Sequence, residues 1–198
     1  MRPLKILCFI AVSAIGTAAS AHVGAAAHSH HSFLAGFLHP LLGLDHLAAM
    51  LAVGLWSALA ARRAGPELLW GPAGFATLLL AGAGLGIQDV VLPAVEPMIA
   101  VSLLATGLLV VTRLRVPGVV ATLGMGVFAV FHGAAHGYEL AGNGNAAQTL
   151  AGMLAATVLL HCAGLVAGWA LRLRLVWWSR AAGAGLAAFG GALLAQMA

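Results

Sequence analysis

The chain has 198 residues, of which 62% are hydrophobic and 7% charged. A soluble domain carries about 25% charged residues, so this composition excludes an ordinary soluble domain and describes an all-α, polytopic membrane protein whose first partner is the lipid bilayer. The formal charge of +4 is no sign of nucleic-acid binding, because the arginines are few and lie in short pairs between apolar stretches. Nine histidines against five acidic residues is the unusual balance, and histidine is the commonest metal ligand.

In chain order, residues 1–21 have the pattern of a cleavable signal peptide. Arg2 and Lys5 form a positive start, an apolar run follows, and Ala19-Ser20-Ala21 is an A-x-A cleavage site. Cys8 falls in this leader, so a mature chain retains Cys162 and has no internal disulfide. Residues 22–32 form an exported tail with His22, His28, His30 and His31, a composition that binds metal weakly without folding. Cleavage leaves the α-amine of His22 beside its imidazole; a plain linker is the other reading. Residues 33–198 form a predicted six-helix transmembrane domain, with spans near 33–59, 68–87, 98–111, 116–136, 146–171 and 175–197. Each approaches the length that crosses ~30 Å of hydrocarbon. The third is short unless it starts near Pro93, a residue tolerated at helix starts.

Glycines recur inside these spans, and small residues let membrane helices approach closely. The expectation is a compact, Gly-rich bundle with a narrow polar interior. Arg62 and Arg63, then Arg113 and Arg115, then Arg172, Arg174 and Arg180 mark alternate connections. Basic loops stay in the cytoplasm, so both termini are expected outside a bacterial inner membrane.

The chemistry concentrates in four places. The first is 39–54, HPLLGLDHLAAMLAVG, with His39, Asp45 and His46 in an apolar span. A carboxylate at the bilayer centre costs roughly 2.5–3.5 kcal/mol on insertion scales, and imidazole with carboxylate suits a divalent transition metal. His39 and His46 lie ~10.5 Å apart along a straight helix, too far to share an ion easily. Pro40 and Gly43 between them predict a break, and the segment divides into an outer and an inner step. Met50 adds a soft thioether one turn beyond His46, or simple packing.

The second is 131–139, FHGAAHGYE, where His132 and His136 share a helix face and can chelate one ion, with Glu139 joining that face. The third is His161, either a ligand or a buried histidine bonded to a carbonyl; Cys162 points ~100° away from it. The fourth is Glu96, at the outer edge of the third span with Ser102 and Thr106 following, either a ligand or a solvated loop acid. Ordered by depth, these groups form a ladder of sites, which suits conduction better than a single closed site.

HPLLGLDH with Met50 and Val53-Gly54, together with FHGAAHGYE, resembles the HupE/UreJ family of hydrogenase and urease accessory proteins. The resemblance runs the length of the chain. It implies a permease rather than an enzyme, with Ni²⁺ as the transported ion (Co²⁺ in some members) and no organic cofactor. It also implies hydrogenase or urease maturation proteins as partners, and metal-handling roles for His39, Asp45, His46, His132, His136 and Glu139. Three rival readings of the same residues are a membrane b-type cytochrome with bis-His haem on His46 and His161, a zinc-dependent membrane hydrolase on His132 and His136, and a non-transporting metal-binding assembly factor. No nucleotide-binding loop occurs in the chain.

Overall fold

The computed structural model describes residues 32–141, 145–174 and 176–198. The predicted signal peptide and the tail histidines His22, His28, His30 and His31 lie outside the described residues. The elements are α1 (Phe33–Leu42), α2 (Leu44–Ala60), a 3-10 turn (Pro66–Leu68), α3 (Trp70–Ile87), α4 (Val95–Thr112), α5 (Gly118–Leu140), α6 (Ala146–Arg174) and α7 (Val176–Met197), with no strand among the described residues.

Four helices, α3 to α6, are long and apolar enough to cross a membrane, and α1 with α2 makes a fifth span if the bent pair is counted as one. The sequence led us to expect six. Its last span is present as α7, but Ser179, Arg180, Gln196 and the glycines dilute its apolar character. The predicted third span starts at Val95, just past Pro93. The predicted fourth extends to Leu140, which puts Glu139 on the same helix as His132 and His136.

The break in the first span has a local cause. Pro40 lies inside α1 and has no N–H to donate. Gly43 is extended (φ −82°, ψ 113°), ends α1 through its own N–H to the His39 carbonyl, and starts α2. The two helix axes meet at 83°. Asp45 Oδ1 accepts the backbone N–H of His46 at 2.9 Å, capping one of the open donors of the new helix.

Close backbone approach assembles the rest. A Cβ on Gly133 would come within 2.0 Å of the Leu79 carbonyl oxygen, and one on Gly82 within 2.1 Å of that of Val130. No other residue fits there, so α3 and α5 touch backbone to backbone. Gly74 meets Thr122, Gly82 meets Val130 and Gly86 meets Ala134, so these two helices run parallel. By the same reading α2 runs parallel to α6, through Leu51 with Gly164 and Leu55 with Gly168, and α4 runs antiparallel to α7, through Gly107 with Ala187 and Leu104 with Gly190. Trp56 near the end of α2 bonds Leu114 just past α4, and Gly71 at the start of α3 meets Ser57 near the end of α2, so α2 to α7 alternate in direction. Helix α1 instead crosses the first turns of α6, where Gly36 meets Thr149 and Gly152 meets Phe33.

Inside sit Met50, Val53, Trp56, Phe75, Leu79 and Met125. Leu108, Val119, Leu123, Val127, Leu159 and Val166 point outward and are exposed, as lipid-facing surface should be. Near the C-terminal end of α5, Tyr138 Oη accepts the Leu92 N–H and donates to the Val90 carbonyl, both at 2.8 Å, which ties down the α3–α4 connection.

Candidate metal-binding site

Four histidines from three helices converge at one end of the bundle. His39 comes from the last turn of α1, His46 from the first turn of α2, and His132 and His136 from α5. Ring centroids are 4.6 Å apart for His46 and His136, 4.7 Å for His39 and His136, 5.4 Å for His46 and His132, and 5.9 Å for His39 and His46. This corrects the separation derived from a straight helix: the bend at Gly43 folds His39 back over His46, so the segment is one cluster and not two steps. His46, His132 and His136 are buried, while the His39 side chain is 37% exposed. Glu139 stands at the rim with Oε2 3.9 Å from His39 Nε2. One ligand atom each from His39, His136 and Glu139 falls within 4.8 Å of the others.

The hydrogen bonds set which nitrogen each ring offers. His46 Nδ1 lies 2.8 Å from Asp45 Oδ1, His132 Nδ1 3.0 Å from the Phe128 carbonyl and His161 Nδ1 2.7 Å from the Met50 carbonyl. These oxygens only accept, so Nδ1 carries the proton in all three rings and Nε2 presents its lone pair. Nε2 of His46, His132 and His161, and both ring nitrogens of His136, are buried with no hydrogen-bond partner. Leaving a buried acceptor unpaired costs about 1–3 kcal/mol, so several in one place make a site suited to a polar guest. A donor set of imidazole nitrogens and a carboxylate, with no thiolate, fits a divalent late transition metal. Asp45 serves this set from behind, since one oxygen holds both the ring and the backbone N–H of His46.

The remaining predicted residues divide. His161, 2% exposed on α6, lies outside the cluster. The ring of Phe75 from α3 packs edge-on against His132 at 5.4 Å and against His161 at 5.2 Å, and so stands between them. Cys162 is exposed and takes no part. Met50 is fully buried; its sulfur accepts from Thr157 Oγ1 at 3.3 Å and its carbonyl receives His161. Glu96 is exposed in the first turn of α4, and Ser102 and Thr106 donate to carbonyls of their own helix, so this group does not join the cluster. Phe75 was not apparent beforehand: in sequence it is one apolar residue among many, with no motif around it.

Beyond Phe75 and His161 the interior continues through Met50, Met125 and Trp56. It ends at a cavity of about 460 Å³ lined by Trp56, Ser57, Gly71 and Ala121 with Arg62, Glu67 and Arg115. Trp56 lines that cavity and is held by its Nε1–H donating to the Leu114 carbonyl at 3.0 Å.

Apolar helices enclosing buried imidazoles with unpaired nitrogens define a helical membrane protein with a polyhistidine site. Residues 10–193 match the family model described as HupE / UreJ protein, and the chain belongs to that family. It is 42% identical over 166 residues to Protein HupE of Rhizobium leguminosarum bv. viciae, a match covering 83% of each chain. No solved structure matches.

Proposed function

We propose that the chain is a secondary permease for a divalent transition-metal cation, Ni²⁺ first and Co²⁺ second, that supplies the maturation of a metalloenzyme such as hydrogenase or urease. It does so as a six-span protein of a bacterial inner membrane, with both termini outside and the arginine-bearing end in the cytoplasm. The observation that carries this reading is the convergence of unpaired nitrogens on His46, His132 and His136 beneath the half-exposed pair His39 and Glu139. The choice of nickel rests on the family.

In this reading His22 and the tail gather the ion, with Glu96 as an outer acid, and Glu139 and His39 draw it to the rim. His46, His132 and His136 then replace its hydration shell. Asp45 keeps His46 in the ligating tautomer. His161 is the next stop beyond Phe75, and the cavity beyond Trp56 is the exit. Conduction requires several sites, each weak enough to leave. A rim ligand, a deep single histidine and an open far end supply that gradation, whereas a closed structural site would not.

The test is radioactive nickel uptake into proteoliposomes, with and without a proton gradient and with cobalt and zinc as competitors. His46→Ala and His136→Ala are expected to abolish uptake. Wild-type rates in both variants would defeat the reading. Wild-type protein that binds nickel but does not move it would make the chain an assembly factor.

A further inference from the structure

The end of the bundle opposite the histidines carries the arginines, and among the described residues Arg113, Arg172 and Arg180 meet no carboxylate. Arg113 follows α4 with a left-handed backbone (φ 53°), Arg172 lies in the last turn of α6, and Arg180 lies in the second turn of α7. Arg113 Nη1 donates to the Arg172 carbonyl at 3.1 Å and Nη2 to Ser179 Oγ at 2.7 Å; Arg172 Nη2 donates to the Arg62 carbonyl at 3.0 Å. All these acceptors are neutral. Among the described residues no arginine is ion-paired with a carboxylate, and Arg113 Nε and Arg172 Nη1 are buried without an acceptor. Burial, then the neighbouring Arg180 and Arg172 guanidiniums, lower Arg113 from its ordinary value.

Aromatic rings flank the same cluster. The Arg172 guanidinium lies 4.0 Å over the Trp169 ring and that of Arg180 5.7 Å over Trp177. Trp177 and Trp178 are 78% and 69% exposed. Tryptophan so placed marks the layer where lipid headgroups meet hydrocarbon, and three close cations without a counter-charge call for an anion there.

We propose that Arg113, Arg172 and Arg180, with the flanking tryptophans, form a binding site for the phosphodiester of an anionic phospholipid. The inference needs the chain to lie in a bilayer and does not depend on the permease reading. Arg180 is exposed and meets the headgroup; Arg172 and Arg113 stand behind it and supply further positive charge. A diester phosphate offers oxygens that guanidinium donors match, and its acyl chains continue onto the exposed Trp177 and Trp178.

Purified full-length protein in neutral detergent is titrated with dioleoyl-phosphatidylglycerol, dioleoyl-phosphatidylcholine or inorganic phosphate. Retained lipid is read by native mass spectrometry and the melting temperature by scanning fluorimetry. Phosphatidylglycerol is expected to stay bound and raise the melting temperature, and phosphatidylcholine and inorganic phosphate are not. Arg180→Gln and Arg172→Gln should each weaken phosphatidylglycerol roughly tenfold, the scale of one charged hydrogen bond. Arg63→Gln, an exposed arginine on the same face, should not. Equal retention of phosphatidylcholine, the full effect from inorganic phosphate, unchanged binding in both cluster variants, or an equal loss in Arg63→Gln would each overturn the site.

Discussion

Gly133→Ala is the sharpest perturbation of the histidine cluster that removes none of its side chains. The added Cβ would lie 2.0 Å from the Leu79 carbonyl oxygen and 2.7 Å from the Ala83 nitrogen. Both are backbone atoms of α3, so no rotamer change relieves the contact. A carbon–oxygen contact settles near ~3.3 Å, so α5 and α3 must part by about 1.3 Å. Gly133 adjoins His132 and lies one turn before His136, so both ligands move with α5 while His39 and His46 stay on α1 and α2. Metal–ligand distances tolerate about ±0.2 Å. The expected loss in nickel affinity is at least the ~10–100-fold that follows changes in outer-shell support. Gly124→Ala is the control, because on the same helix its Cβ would meet nothing within 4 Å. Isothermal titration with nickel gives affinity, and circular dichroism checks the helical content of both variants. Wild-type affinity in Gly133→Ala, or an equal loss in Gly124→Ala, would refute the reasoning.

Asp45→Ala removes the acceptor for His46 Nδ1 and should weaken nickel binding ~10–100-fold, whereas Asp45→Asn keeps an oxygen there and should lose less; identical losses in titration would mean the carboxylate acts through its charge or as a ligand itself. His161→Ala should leave nickel binding at the four-histidine cluster near wild type and slow uptake, and a parallel loss of binding would place His161 in that cluster's site. Lowering the pH from about 7.5 to about 5.5 should weaken nickel binding, because ligating imidazoles must be neutral and protons compete on the acidic side; affinity that rises on acidification, measured by equilibrium dialysis, would contradict imidazole ligation.

The helices were legible because membrane spans announce themselves through long apolar runs. The shared face of His132 and His136 followed from a four-residue spacing, whereas α4 starts at Val95, three residues before the expected Met98 and with Pro93 outside it. The break near Pro40–Gly43 was also readable, since a proline and a glycine between two ligands leave a helix few options. Its angle was not. Nothing local encodes 83°, because the turn is set by how α1 finds α6 at Gly36 and Gly152. For that reason a distance of ~10.5 Å along one axis became a centroid separation of 5.9 Å across two. Phe75 and the carbonyls of Phe128 and Met50 were invisible for a related reason. A carbonyl belongs to every residue, and only the tertiary arrangement decides which one meets an imidazole. The weakness of α7 as a span came from the opposite failing: its apolar residues attracted notice, while Ser179 and Arg180 at its start count against it.

The elbow at Gly43 also sorts the ligands by what holds them. His132 and His136 belong to α5, locked against α3 by backbone contact, and His46 belongs to α2, which runs beside α6 for much of its length. His39 rides on a short arm of ten residues, attached through one extended glycine and resting across the first turns of α6. In the proposed permease, a swing of that arm would take away one ligand of four while the others stay on α2 and α5. Stiffening the elbow would then slow the ion's departure without deepening the well.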